Sequence, residues 1–119
     1  MSEVRIFVPE LDALSEGDAR VFEFRRGARK LEGFVLRTED AFVAYANVCP
    51  HWAVDLDMGF RRFWDERTHR IVCINHGALF HPATGLCETG PCLGESLERF
   101  TVELGSGGAW VTVPEAESV

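Results

Sequence analysis

The sequence has no apolar run long enough to cross a membrane, and it is poor in basic residues. A membrane-spanning helix needs about 18 or more consecutive apolar residues, and no segment of the 119 residues approaches that length. Twelve Lys and Arg residues stand against 19 Asp and Glu residues, so the formal net charge is −7. Because phosphate binding needs a basic surface, we expect neither nucleic acid nor a membrane as a partner. A basic protein surface is compatible with this charge.

Two further absences restrict the function. The sequence has no glycine-rich nucleotide loop, which excludes a recognisable nicotinamide site. Residues 1–5 lack a basic segment followed by a long apolar stretch, so we expect no secretory signal and a cytoplasmic location. In that reducing compartment the four cysteines are more often metal ligands or buried thiols than disulfides.

The apolar residues occur in short stretches separated by turn residues. Domains typically have about 100–150 residues, so we expect residues 1–119 to form one domain. Many short strands with turn signals are typical of an antiparallel sandwich or barrel. The predicted strands are Arg20–Phe24, Phe34–Arg37, Ala41–Tyr45, His69–Cys73, Leu97–Glu103 and Ala109–Pro114. We also predict a helical turn within Pro9–Leu14 and a frayed tail at 115–119.

Two short segments carry the chemistry. Cys49 and His51 form a C-x-H motif, and Cys73 and His76 form a C-x-x-H motif, with the 21 residues 52–72 between them. Each motif follows a predicted strand, and loops at strand ends can meet in a sandwich. Two thiolates and two imidazoles select zinc, iron or copper over magnesium or calcium. A structural zinc site usually pairs Cys with Cys and His with His along the chain, which matches poorly here. A buried Cys and His could stand in one segment by chance, but their presence in both segments disfavours that interpretation.

The doubled motif resembles the signature of Rieske iron–sulfur proteins. Residues 71–73 resemble the strand that enters the second motif, and residues 76–80 resemble its exit. Gly90-Pro91 resembles the proline-containing third loop that covers the cluster in that family. The resemblance spans nearly the whole chain. It implies an all-β Rieske iron–sulfur fold, an antiparallel sandwich or barrel of three sheets, with a small cluster-binding subdomain at 46–92 nested in the single domain.

The resemblance also implies a cofactor and a function. The cofactor is one 2Fe–2S cluster, with Cys49 and Cys73 on one iron and His51 and His76 on the solvent-facing iron. Neutral imidazoles leave the oxidised site less negative than four thiolates do, which raises its reduction potential. The implied function is that of a soluble one-electron carrier, not itself an enzyme, between a reductase and an oxygenase or another reductase. The alternatives are a fixed small subunit of a nitrite reductase-like enzyme and a zinc-stabilised binding module without a redox role.

The sequence departs from the family pattern between the motifs. The segment 52–72 is longer than usual, and it contains Phe60–Trp64, with the sequence FRRFW. Aromatic residues and arginine are enriched at interfaces, which indicates a docking surface, whereas an ordinary hairpin with alternating faces is the alternative. Trp52 replaces the smaller residue that is frequent after the first histidine, and we interpret it as a shield for the cluster. The loops 50–56 and 74–80 lack the extra cysteines of membrane-complex relatives, which disfavours that class.

The other two cysteines, Cys87 and Cys92, leave two interpretations open. A hairpin through Gly90 would bring them within disulfide distance. The alternative is a pair of reduced thiols packed under the third loop.

Two histidines outside the motifs are not expected to bind metal. His81 follows His76 at the H-x4-H spacing found at mononuclear iron sites of Rieske oxygenases, but Gly77 and Pro82 argue against the helix that such a site needs. We expect His81, like His69, to be a partly exposed strand or turn residue.

Ala78 and Phe80 predict a low reduction potential. In high-potential relatives the matching positions carry a serine-like hydroxyl and a tyrosine, which donate hydrogen bonds to sulfur and favour the reduced cluster. Neither residue here has a side-chain donor.

Overall fold

A computed structural model of the chain describes residues 3–50, 54–75 and 77–114. Within these ranges the secondary structure is β-strand apart from a single 3-10 turn at Leu11–Ala13. None of the described residues belongs to a helix that is long and apolar enough to cross a membrane. The strands are β1 Glu3–Pro9, β2 Ala19–Arg26, β3 Arg29–Arg37, β4 Phe42–Ala46, β5 Trp64–Asp65, β6 Arg70–Cys73, β7 Ala78–Phe80, β8 Cys87–Thr89, β9 Arg99–Gly105 and β10 Gly108–Pro114.

The strands form two antiparallel sheets. The larger sheet has the order β1-β10-β9-β4-β3-β2, and the smaller has the order β5-β6-β7-β8. Strands β4 and β9 pair only at Ala44–Phe100 and Tyr45–Arg99, so the larger sheet consists of two three-stranded halves with a short junction. The larger sheet curls towards a barrel, so that its two edge strands, β1 and β2, contact each other. The all-β prediction is confirmed, and the two halves and the smaller sheet correspond to the three predicted sheets.

The protein has two apolar cores, and β3 and β4 separate them. Successive strand residues point to opposite faces of a sheet. Val35 therefore packs into the first core, which lies within the curled larger sheet. Phe34 and Leu36 pack into the second core, which lies between β3, β4 and the smaller sheet. All three side chains are fully buried, which explains the continuous apolar run in the middle of β3.

The six predicted strands are confirmed, and four observed strands were not predicted. Strand β1 carries an alternation of Val4, Ile6 and Val8 that indicates a strand and was missed. Strands β5, β7 and β8 have only two or three residues each, too few for a recognisable period. The helical turn predicted within Pro9–Leu14 is confirmed at Leu11–Ala13. The tail at 115–119 lies outside the described residues.

Over its described residues 54–72, the segment between the two motifs is mostly an irregular loop, and the alternative of a hairpin holds only in part. Among the described residues of this segment, Trp64 and Asp65 pair with β6, and Phe63 accepts the N–H of Val72 at 2.8 Å. Before them, Met58 and Arg61 have positive φ angles of 49° and 60°, which interrupt an extended strand. Phe63 is buried in the second core, whereas Phe60 is exposed. A hairpin is therefore present only at the end of this segment, where β5 pairs with β6.

Candidate functional site

The first predicted ligand that the structure describes is Cys49, which follows the end of β4. Strand β4 ends at Ala46, and the chain turns into a loop because Cys49 donates its backbone N–H to the carbonyl of Val54 at 2.8 Å. The Cys49 side chain is fully buried in the second core. Its partner in the first motif, His51, lies outside the described residues.

The second described ligand, Cys73, is the last residue of β6. The backbone N–H of Gly77 donates to the carbonyl of Cys73 at 2.7 Å and closes a tight turn after the strand. Gly77 has a φ angle of 70°, a conformation that favours glycine. The Cys73 side chain is fully buried in the same core as Cys49. The histidine of the second motif, His76, lies outside the described residues.

The structure thus brings the two predicted cysteine ligands into one apolar core. Over residues 3–50, 54–75 and 77–114, no three His, Cys, Asp or Glu side chains are arranged to hold a metal ion. Both predicted histidine ligands are outside those ranges, so the complete ligand set remains a prediction.

Gly90 lies in the third loop and packs directly on the exit of the second motif. Its φ angle is 110°, and a Cβ atom at this position would lie 2.9 Å from the Cα atom of Ala78. Any larger residue would push the loop away from β7. The third loop therefore lies against Ala78, whereas its position over a cluster stays a prediction.

Cys87 and Cys92 are reduced and lie against each other beneath this loop. The thiol of Cys92 donates to the sulfur of Cys87 at 2.8 Å, and Cys87 in turn donates to the carbonyl of Thr89 at 3.3 Å. Burial raises the pKa of Cys92, and the contact with Cys87 raises it further. Of the two open interpretations, the structure contains the reduced, packed thiols.

A buried polar pair, Asn47 and Asp57, was missed by sequence reasoning. Both side chains are almost fully buried, and the Asn47 amide donates to the Asp57 carboxylate at 3.1 Å. Asn47 lies two residues before Cys49. The only sequence signal was a carboxylate in an apolar surrounding, Leu56-Asp57-Met58, within the long inter-motif segment.

Around this pair the structure gathers acidic side chains and one arginine. The guanidinium of Arg61 donates to both carboxylate oxygens of Glu32, at 2.9 and 3.2 Å, which raises the pKa of Arg61. Partial burial raises the pKa of Asp55, and the carboxylates of Glu32 and Asp57 add to that rise. The neighbourhood is therefore net negative.

The two other histidines are turn residues, as expected. His69 is exposed, has a φ angle of 56°, and lies 3.6 Å from a carboxylate oxygen of Glu16. His81 directly follows β7 and accepts a hydrogen bond at Nδ1 from the N–H of Ala83 at 3.1 Å.

Comparison with known proteins identifies the family. The family model of the Rieske 2Fe–2S domain matches residues 5–113. The chain belongs to the Rieske 2Fe–2S domain family. A comparison with curated proteins found no match.

Solved structures of Rieske proteins have the same fold. The ferredoxin of carbazole 1,9a-dioxygenase from Nocardioides aromaticivorans IC177 is 26% identical, with a TM-score of 0.66, and the match covers 90% of this chain and 95% of that chain. A chain in a complex of reduced oxygenase and oxidised ferredoxin in carbazole 1,9a-dioxygenase is 23% identical, with a TM-score of 0.64 and 90% and 91% coverage. At that identity the likeness shows the fold alone.

The cofactor of a Rieske domain is one 2Fe–2S cluster, which accepts and releases one electron, and the Rieske chain described here is an electron carrier. The described part of the site fits this group. Cys49 and Cys73 supply two thiols from separate loops, and both are enclosed by apolar side chains that keep water away. Sulfur donors in such a setting suit iron–sulfur chemistry.

Proposed function

We propose that Cys49, Cys73, His51 and His76 hold the cluster of this electron carrier. The observation that carries the assignment is the placement of two fully buried thiols, one from each motif, in a single core. The mixed motifs supply one histidine beside each cysteine, which agrees with a ligand set of two thiolates and two imidazoles.

The ligand assignment is tested by substituting each cysteine separately. We expect Cys49→Ser and Cys73→Ser to abolish the visible absorption, and reduced wild-type protein to give an EPR signal with the low average g value of mixed Cys/His ligation. Cys87→Ala and Cys92→Ala are matched controls because these cysteines are equally buried. The assignment is wrong if Cys73→Ser retains a full cluster or if the control variants lose it.

We further propose that the carrier receives electrons from a separate reductase and passes them to an oxygenase in the cytoplasm. The support is the similarity to a ferredoxin of carbazole 1,9a-dioxygenase, together with solved complexes of that type of ferredoxin and its oxygenase. The sequence has no nucleotide loop of its own, which agrees with a separate reductase.

Exposed apolar side chains next to the cysteine loops support docking at this end of the molecule. Val54 and Ile74 are exposed. The carbonyl of Val54 accepts the N–H of Cys49, and Ile74 directly follows Cys73. Leu93 is 67% exposed in the third loop, and its N–H donates to the carbonyl of Gly90 at 3.2 Å. Exposed apolar patches commonly mark interaction sites.

The partner assignment is tested with surface variants in electron transfer to a purified oxygenase. We expect Ile74→Ser and Leu93→Ser to slow electron transfer at limiting oxygenase without changing the visible spectrum. Leu104→Ser is the control, since Leu104 is 65% exposed in the larger sheet, in β9. An equal effect of the control would contradict docking through the cysteine loops.

One alternative is a permanent small subunit of a nitrite reductase-like enzyme. Gel filtration separates the two functions, because a free carrier elutes alone at micromolar concentration and a fixed subunit co-elutes with its enzyme.

A further inference from the structure

We propose that Asn47 and Asp57 form a positioning pair that fixes both cysteine loops relative to each other, and that the Asp57 carboxylate lowers the reduction potential of the cluster. The proposal rests on the ligand assignment of Cys49 and Cys73. It adds to that assignment two residues that lie outside both motifs.

The Asn47 side chain uses both ends of its amide. Its Oδ1 atom accepts the backbone N–H of Leu56 at 2.8 Å. Its Nδ2 atom donates to Oδ1 of Asp57 at 3.1 Å and to Oε1 of Glu32 at 3.4 Å. Asn47 is 1% exposed, so water cannot replace these partners if they are lost.

Leu56 connects the two cysteine loops through its backbone. Its N–H is held by Asn47, two residues before Cys49, and its carbonyl accepts the N–H of Ile74 at 2.9 Å, directly after Cys73. A displacement of Asn47 is therefore transmitted to both loops through the backbone of a single residue, Leu56.

Asp57 faces only hydrogen-bond donors within the described residues. Its Oδ1 also accepts the N–H of Gly59 at 3.3 Å, and its Oδ2 accepts the N–H of Arg61 at 2.9 Å. Both carboxylate oxygens of Asp57 therefore have donor partners. These bonds also hold Met58 and Arg61 in left-handed conformations that L-residues adopt at a cost.

The charge of Asp57 is only partly balanced by Arg61, because Arg61 also pairs with Glu32. The nearest cation is Arg61, whose Nη1 atom is 3.8 Å from Oδ2 of Asp57 but 2.9 Å from Oε1 of Glu32. One guanidinium thus faces two carboxylates, and Asp55 adds a third nearby. Asp57 is fully buried, so solvent ions screen its field weakly.

A fixed negative charge opposes the addition of an electron nearby. Removal of the Asp57 charge should therefore favour the reduced state and raise the midpoint potential. Loss of the Asn47 amide should instead loosen the loops, since the N–H of Leu56 loses its partner and Oδ1 of Asp57 keeps only the N–H of Gly59.

The experiment compares the midpoint potentials of cluster-loaded Asp57→Asn and wild-type protein by voltammetry. We expect the equilibrium constant for reduction to rise by about 3–10-fold, and a tenfold rise corresponds to about 59 mV for one electron. Glu98→Gln is the matched control because it removes one carboxylate that pairs with Arg26 in the larger sheet. An unchanged or lower potential in Asp57→Asn, or an equal rise in the control, would overturn the proposal.

Glu32→Gln keeps the proposal testable if Asp57→Asn does not fold. This surface change removes one of the two carboxylates facing Arg61 and leaves the Asp57 contacts with backbone N–H groups in place. We expect a smaller upward shift of the potential, and no shift would overturn the electrostatic part.

The positioning part is tested with Asn47→Ala. We expect broadened EPR features and cluster loss at least tenfold faster than in wild type, followed as the decay of visible absorption, with neither change in Glu103→Gln, which removes an exposed carboxylate. Unaltered EPR and decay would overturn it. A wild-type protein without a cluster would refute the proposed ligands, whereas a cluster indifferent to Asp57 refutes only this inference.

Discussion

The ring of Phe63 stacks on the ring of Phe34, with centroids 4.2 Å apart and planes inclined by 13°. Phe34 belongs to β3 of the larger sheet, and Phe63 belongs to the long segment between the motifs. This stack places the inter-motif segment within the second core. Three residues earlier, Phe60 is 68% exposed. Two phenylalanines of one short segment therefore have opposite environments.

Replacement of these two phenylalanines should affect stability very differently. Phe63→Ala is expected to lower the free energy of unfolding by about 3–5 kcal/mol, because it leaves a cavity against Phe34. Phe60→Ala should change it by less than about 0.5 kcal/mol, as is usual for exposed positions. Denaturant unfolding of the two variants measures the difference. Similar effects would contradict the observed burial.

Tyr45 should make the stability fall at strongly alkaline pH. Its hydroxyl donates to the carbonyl of Pro82 at 2.7 Å, and burial raises the pKa of Tyr45 to about 12. A tyrosine in the unfolded chain ionises near pH 10. The folded state thus holds this proton more tightly, so its stabilising contribution is complete below about pH 10 and is lost as the pH rises towards about 12.

The measurement compares unfolding of wild type and Tyr45→Phe as a function of pH. The variant should be less stable at neutral pH by about 1 kcal/mol, the typical worth of one hydrogen bond, and should lack this part of the alkaline decline. Tyr45 is the only tyrosine in the sequence, so phenolate absorbance reports its ionisation alone. Phenolate formation near pH 10 in the folded protein would contradict the burial argument.

Hydroxyl groups at Ala78 and Phe80 should raise the midpoint potential. Both side chains are fully buried, and neither donates a hydrogen bond. A hydrogen bond to a charged acceptor contributes about 1.5–3 kcal/mol. If about half of that strengthens on reduction, Ala78→Ser and Phe80→Tyr should each raise the potential by about 30–60 mV.

Voltammetry of each variant checks this, with Ala109→Ser as the control. Ala109 is equally buried but lies in β10, in the first core. The wild-type midpoint should lie in the lower part of the Rieske range of about −150 to +300 mV. A wild-type value above about +200 mV, within that range, or variants without a rise, would refute the argument.

The partly buried ion pair between Arg26 and Glu98 should contribute more to stability than the exposed pair between Arg5 and Glu103. The Glu98 carboxylate accepts a hydrogen bond from Nη1 of Arg26 at 2.8 Å and a second one from Nη2 of Arg26. The Arg26 side chain is only 7% exposed. Glu98→Gln should lower the free energy of unfolding by about 1.5–3 kcal/mol. Glu103→Gln should change it by at most about 1 kcal/mol, because its pair is solvated. Thermal unfolding at two salt concentrations distinguishes the pairs, and equal losses would contradict this ranking.

The fold class and the cofactor could be predicted because their signals are local. The C-x-H and C-x-x-H motifs occupy seven positions, and short alternating stretches with intervening turns indicate the strands around them. The resemblance of these motifs to the Rieske signature predicts an iron–sulfur ligand set of two cysteines and two histidines without knowledge of any contact. Four strands were not predicted, and three of them are too short to carry a period, because their pairing with neighbours defines them.

The remaining features of the site depend on contacts between distant parts of the chain. The sequence left a disulfide and packed thiols open for Cys87 and Cys92, and their contact beneath the third loop depends on how that loop packs on Ala78. Nothing local marks Asn47 as a partner of Asp57, ten residues away. A buried carboxylate is stabilised only where folding assembles enough donors around it, so the tertiary structure alone decided that Asp57 belongs to the interior beside the cysteine loops.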